Sequence, residues 1–390
     1  MKRKRLIVMG FMASCPISGV IWQHLHYIIG LQRLGHDVYY IEDSARHPYD
    51  PERGAWLPEF GYAAKVMRDL AARFQFEDRW SFCARYLGPH ETAGLPRQAV
   101  LDLYRDADAI LNVCGAQEIN EDLVGNDRLL YIDSDPGLEQ IKVDQAAGHT
   151  PDHLARHRRL YTFGENIGTP EFAVPTHGNQ WLPTRQPVVT DLWQTENAPP
   201  AGATFTSIAN WNTSDLKDVE WRGEKFLWNK APQFLRHLAA PRVAGEPFEL
   251  AVAMEDAATR AEFERSGWRL RDAYDLSTDC DAYRSYLQHS KGEFTVAKDQ
   301  YVRLTTGWFS DRSACYLAAG RPVITQETGF TKYYGGNAGL FAFHSLDQVA
   351  EAVRMINADY ARHSRAASEI AREFFEAEKV LRSVLERAGI

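Results

Sequence analysis

Apolar and polar positions along the chain switch repeatedly between a period of about two and a period of three to four. Arg5–Met9 is a short apolar run that stops at Gly10. After the loop SCPISG, apolar residues recur at 21, 22, 25, 28, 29, 31 and 34, which is the spacing of a helix with one buried face. Gly35 ends that pattern and Val38–Ile41 reads as the next strand. Further strands are expected at Ala109–Val113, Leu129–Ile132 and Leu160–Phe163. Each runs into a polar or Gly-rich turn (CGAQE, DSDPG and GENIG), and strands that all end in polar turns point to one functional rim.

Residues 168–203 are rich in Pro, Thr and Gln without clear periodicity, so the linker between two domains is expected there. A second alternation follows. Strands are expected at Thr204–Ala209, Phe248–Met254, Glu293–Ala297, Val323–Thr325 and Gly339–Phe343, with helices at Ala257–Gly267 and Cys280–Ser290. From Leu346 the pattern is helical almost to the end, with a break expected near residues 372–376. The expected class is α/β: two Rossmann-like parallel-sheet domains, residues 1–185 and 200–372, facing across a cleft.

The chain has 390 residues, enough for two such domains. A net charge of −8 argues against broad nucleic-acid binding. Lys2–Arg5 are basic, but the apolar run Leu6–Ala13 is broken by Gly10 and followed by Pro16, too short to span a membrane. It is read as a first strand. The five cysteines (15, 83, 114, 280 and 315) are scattered, with no CxxC pair, so neither a zinc site nor a disulfide framework is expected and the expected setting is a reducing cytoplasm. GxGxxG is absent from the first βα loop, which removes the dinucleotide-binding fingerprint. No serine sits in GxSxG.

Candidate chemistry concentrates in TTGWFSDRSACYLAAGRPVITQETGF, residues 305–330. A loop with Thr306 and Gly307 leads into a helix starting near Ser310, Asp311, Arg312 and Ser313, where exposed N–H groups and a guanidinium suit a diphosphate. The other reading is an N-capped structural helix with Arg312 paired to a surface carboxylate. Lys298, Lys230 and, less directly, Lys225 follow strands and fit phosphate or plain solvation. Asp133 and Asp135 admit three readings: a metal-binding DxD, a general base or acceptor contact, or an Asx turn closing a strand. Ser18, Gly19 and Trp22 are read as an acceptor loop and helix start, with His24 as a base. Glu165 and Asn166 either meet the acceptor, with Glu165 a catalytic candidate, or hinge the two domains. Trp308 and Phe330 either stack on the ligand or pack the core.

The layout of residues 305–330 resembles the donor-nucleotide site of GT-B glycosyltransferases, where a "small-Ala-x-Gly-x-Pro-Val-hydrophobic" run follows the helix that caps the diphosphate, and the opening βαβ unit with LGHDVYYIED resembles the first unit of their N-terminal domains. The chain also resembles a large bacterial group labelled glycosyltransferase, from PISG through FGENIG and PTRQPVV to GWFSDRSA. Arg312 to Gly320 resembles the R-x-x-E-x-x-A-x-G run of CgeB-like and group 1 enzymes. The resemblance implies a GT-B fold, a donor half at the C-terminus, an acceptor half at the N-terminus and a last helix, near 374–390, crossing back to the first domain. It implies transfer of a sugar from a nucleotide-diphosphate sugar, UDP favoured, to a small-molecule or glycan acceptor, without a metal or other cofactor. Retaining members carry two glutamates spaced E-x7-E; Gly307 and Cys315 stand at those positions here. A non-hydrolysing nucleotide-sugar epimerase and a non-catalytic sugar-nucleotide-binding protein are the alternatives.

Overall fold

The computed structural model describes residues 2–148, 150–195, 198–211, 218–254, 256–334 and 336–390. Two sheets dominate. The first has the strand order Trp181–Pro183, Arg159–Thr162, Leu129–Asp133, Ala109–Val113, Arg5–Met9, Asp37–Glu42, Trp80–Cys83, Thr92–Gly94. All neighbours are parallel except the last pair. The inner strands are buried at nearly every position, which is why they read as continuous apolar runs. The second sheet is wholly parallel, in the order Trp268–Arg271, Phe248–Ala251, Phe205–Ile208, Gly292–Thr295, Val323–Gln326, Leu340–Phe343.

Strand order reverses beside Arg5–Met9 in one sheet and between Phe205–Ile208 and Gly292–Thr295 in the other. Such switch points open a crevice at the carboxyl ends of the strands. The loops carrying Phe11, Asp135 and Lys298 follow strands of the two sheets, and Lys230 follows a separate hairpin, Val219–Trp221 with Glu224–Phe226.

The expected linker contains some structure. Trp181–Pro183 adds an edge strand to the first sheet, and Thr190–Leu192 forms a single 3-10 turn. Three residues are too few for a readable period. Glu196 and Asn197, inside the same stretch, lie outside the described residues. The break expected near 372–376 is a π-helical turn, Ala371–Phe375, closed by Glu376 in an extended conformation. Backbone bonds between Val188 and the Phe375–Ala377 stretch, 2.7 and 2.8 Å, secure that corner.

The last helix, Ala377–Ala388, packs on Ser18–Arg33 of the first half. Gly30 permits the close crossing, since a Cβ there would stand 2.6 Å from Leu381 Cδ1 and 2.9 Å from Ala377 Cβ. Tyr161 O–H donates to Val384 O at 2.8 Å from the sheet side. One apolar cluster, including Leu25, Trp22, Tyr283, Phe309 and Phe375, runs through both halves of the chain. Among the described residues no helix is long and apolar enough to cross a membrane.

Candidate functional site

Two adjoining hollows open where the carboxyl edges of the sheets meet. One, about 210 Å³, is lined by Phe11, Gln23, Cys114, Ser134 and Asp135 from the first half and Lys230, Lys298, Trp308, Ser310 and Asp311 from the second. The other, about 390 Å³, shares Phe11, Cys114 and Asp135, and extends over Tyr131, Asp133 and Leu138 towards Arg46 and Trp228.

Asp135 stands at the junction. Lys298 Nζ lies 2.6 Å from its Oδ1, and Tyr301 O–H donates to the same oxygen. A carboxylate of the first half is thus held by two side chains of the second. Trp308 reinforces the crossing: its Nε1–H donates to Ser134 O at 3.0 Å and its ring stacks on Tyr301 at 4.2 Å. Lys298 also lies 3.4 Å over the Trp228 ring, and Lys230 lies 5.6 Å over Trp308.

Lys230 is crowded by like charge. Burial first, then the charges of Arg312 and Lys298, push its ammonium down to about 7, against the weaker pull of Glu293 and Asp135. Burial pushes the Asp311 carboxyl up to about 7; Asp135 adds to the rise and a hydrogen bond from Gln23, 3.3 Å, opposes it. Asp133 is pushed up to about 7 mainly by burial, despite accepting hydrogen bonds from Gln140 and Thr162 at 3.1 and 3.0 Å. It also accepts from the Asp135 N–H at 3.1 Å, so the Asx turn of the sequence reading is present. Two carboxyls and one amine poised near neutrality in one cleft mark a candidate for proton chemistry or anion binding. Among the described residues no group of three or more His, Cys, Asp or Glu side chains is arranged to hold a metal ion.

Several sequence-derived residues stand elsewhere. His24 is buried and has both nitrogens engaged: Nδ1–H donates to Val20 O at 2.7 Å and Nε2 accepts from Phe11 N–H at 3.4 Å. Burial holds it down to about 4, so it supports the Gly10–Phe11 turn and cannot serve as an open base. Ser18, Gly19 and Trp22 line neither hollow. A Cβ on Gly19 would lie 3.7 Å from Tyr283 Oη, and Trp22 Nε1–H donates to Cys280 O at 3.1 Å, so this helix start is part of the contact between the halves. Glu165 forms a two-pronged pair with Arg185, 2.8 and 3.0 Å, beside the C-terminal crossing. Asn166 bridges the two halves: its side chain donates to Thr305 O at 2.7 Å and its N–H to Thr306 O at 3.0 Å.

The loop before the helix Asp311–Ala318 is spent in the same way. Gly307 N–H donates to Thr328 O at 2.7 Å, and Thr306 is buried. Gly307 has φ +75°, and a Cβ there would sit 3.0 Å from Asn166 N, so this backbone does not accommodate a glutamate. Cys315 is buried with its Sγ 3.7 Å from His26 Nε2. Both E-x7-E positions therefore face contacts between the halves. Ser313 is buried within the helix packing, and Lys225 pairs with Asp218 at 2.9 Å. Phe330 is core, 5.2 Å from Phe309.

Ser310 makes no side-chain cap, and Arg312 is turned inward, but its partner is the buried Glu293 rather than a surface carboxylate. Its Nε donates to Glu293 at 2.6 Å, one terminal nitrogen to Ile208 O at 2.6 Å and the other to Thr295 Oγ1 at 2.8 Å. Its fork ties the neighbouring strands Phe205–Ile208 and Gly292–Thr295 together, and its charge reaches Lys230, while its own donors point at protein. Glu293, a charged residue in the apolar run GEFTVA, was the sequence signal for this pair. Phe11, Gln23, Tyr301 and Trp228 lacked such a signal, because each reaches the site by long-range packing.

No protein-family model matches the sequence, and no curated protein is significantly similar to it. Solved structures do match across the whole chain. An alpha-glucosyltransferase in complex with UDP superposes with a TM-score of 0.57 at 12% identity, covering 99% of this chain and 100% of that one. AviGT4, a glycosyltransferase involved in avilamycin A biosynthesis, gives 0.53 at 10% identity over 98% and 96%. HepE from Anabaena, in complex with UDP and glucose, gives 0.51 at 12% identity over 99% and 100%.

Proposed function

The chain has the GT-B glycosyltransferase fold, and on that premise we propose that it binds a nucleoside-diphosphate sugar between its two halves and transfers the sugar to an acceptor hydroxyl, without a metal. One observation carries the reading. Lys230 and Lys298 converge with Ser310 and the first turn of the helix Asp311–Ala318 on one hollow. Crowded ammonium groups beside the N–H groups of a helix start form a cradle for a diphosphate. An anion there offsets the burial and, after it, the like charge that drive Lys230 towards neutrality.

The chemistry is a displacement at the anomeric carbon. The acceptor oxygen forms the new C–O bond as the bond to the β-phosphate oxygen breaks. The departing nucleoside diphosphate keeps the electron pair, and Lys230 and Lys298 meet its added charge. The acceptor proton passes to a carboxylate, and the role falls to Asp135, which lines both hollows. UDP is the favoured nucleotide.

The test is a thermal-shift screen with UDP, GDP, ADP and dTDP sugars, followed by mass spectrometry for transfer or donor hydrolysis. A ligand at a hundred times its Kd stabilises by about 2.7 kcal/mol. Binding with turnover supports the proposal; absence of any shift contradicts it. The buried contacts at Gly307 and Cys315 favour one second reading, a sugar-nucleotide-binding protein without catalysis. Binding with no turnover against a broad acceptor panel would select it.

A further inference from the structure

The charges around the larger hollow are nearly all matched by partners. Asp135 pairs with Lys298 at 2.6 Å, Glu139 with Lys142 at 2.8 Å and Asp218 with Lys225 at 2.9 Å. Asp133 is buried and satisfied by Gln140 and Thr162. Arg46 is the exception. It lines the hollow, and among the described residues its guanidinium has no ion pair or hydrogen bond.

Its position is set from both sides. Asp43 accepts hydrogen bonds from Arg97 and Asn120 at 2.8 Å and from Tyr104 at 3.0 Å. On the other side, Tyr49 N–H donates to Ser14 O at 2.7 Å, and His47 packs edge-on against Tyr86 at 4.6 Å. Arg46, exposed and lying between these anchors, lines the hollow together with Phe11, Tyr131, Leu138 and Trp228. An unpaired planar fork lining one hollow with aromatic and aliphatic side chains matches a carboxylate or phosphate carried on a carbon body.

We propose that the substrate portion bound in this hollow is an acid, its carboxylate or phosphate held by Arg46 while its carbon body lies against the aromatic walls. The inference rests on the nucleotide-sugar reading of the smaller hollow, and two sources of the anion share its chemistry: the acceptor, or an acidic sugar on the donor.

The experiment is calorimetry on the full chain with two arms. First, the nucleoside diphosphate that binds is identified, and its affinity is measured for the wild type and for Arg46→Gln. The donor arm compares the glucosyl and glucuronosyl diphosphates of that nucleoside, which differ at the C6 carboxylate. The acceptor arm, with that nucleoside diphosphate saturating, compares galacturonate with methyl galacturonate and 4-hydroxybenzoate with its methyl ester. The acid should bind roughly ten- to a hundredfold tighter in one arm, the worth of a charge-assisted contact, and that arm names the source. Arg46→Gln should erase the preference and leave the nucleoside diphosphate affinity within roughly twofold. Equal binding of acid and neutral partner in both arms, no binding in the acceptor arm together with equal donors, or a preference that survives Arg46→Gln overturns the inference. Failure of every nucleoside diphosphate to bind overturns the underlying reading instead.

Discussion

Lys230 gives the sharpest handle on the proposed diphosphate site, because ligand binding there moves a proton. In the free chain its ammonium is pushed down to about 7 by burial and by Arg312 and Lys298. At pH 7.5 about a quarter of the side chains are charged. A diphosphate beside the group restores its charge, so binding should take up about three quarters of a proton at pH 7.5, rising to nearly one at pH 8.5 and falling to about a tenth at pH 6. The diphosphate of a nucleotide sugar has no group titrating near neutrality, so the proton is the protein's. Asp311 adds uptake of the same sign, since a nearby anion pushes its carboxyl further up. Lys230→Met isolates the lysine share. Calorimetry in buffers of different ionisation enthalpy reads the proton count directly. The variant should lose most of the uptake at pH 8.5 and roughly ten- to a hundredfold in affinity. No proton uptake by the wild type, or equal uptake by wild type and variant, would refute the reasoning.

Three further outcomes are expected. Arg312→Ala leaves the buried Glu293 carboxylate without its cation, so urea denaturation should show a loss of about 3–5 kcal/mol; a change below about 1 kcal/mol would show the pair to be dispensable. Asp133 keeps its proton up to about 7 when folded, against about 3.9 unfolded, so the folded chain binds more protons across that window and stability falls as pH rises from about 4 to about 7. Asp133→Asn should flatten that fall in urea midpoints, and an unchanged slope counts against it. Turnover should survive EDTA, because ammonium groups and helix N–H donors meet the leaving diphosphate; activity lost in chelator and restored by Mn²⁺ would revive a metal-binding role for Asp133 and Asp135.

Most strands of the two sheets were legible because parallel strands buried on both faces leave long apolar runs, and Ala109–Val113 was readable to the residue, whereas Trp80–Cys83 and Trp268–Arg271 were not read as strands. The short edge strands at Tyr49–Asp50, Ala55–Trp56 and Thr92–Gly94 were not, since two or three residues carry no period. The site was legible in part. Lys230, Lys298, Ser310, Asp311 and Asp135 do line the smaller hollow. Thr306, Gly307 and Arg312 belong to the same stretch of chain but serve the contact between the halves and the strand-end brace. Spacing along a sequence places a residue at a rim; which partner takes its donors is decided by residues far away in the chain, Glu293 for Arg312 and Asn166 for the loop. His24 failed for a related reason. A helical period shows which face is buried, and a neutral-range histidine on that face titrates too low to act.

The central claim is that the hollow between the two halves holds a diphosphate against Lys230, Lys298 and the first turn of the helix Asp311–Ala318. A crystal structure of the chain with the nucleoside diphosphate that binds tests it most directly. The account predicts phosphate oxygens within about 3 Å of the Lys230 ammonium and of an N–H in that first turn. Density for the diphosphate elsewhere, or in this hollow but out of reach of Lys230, would contradict it.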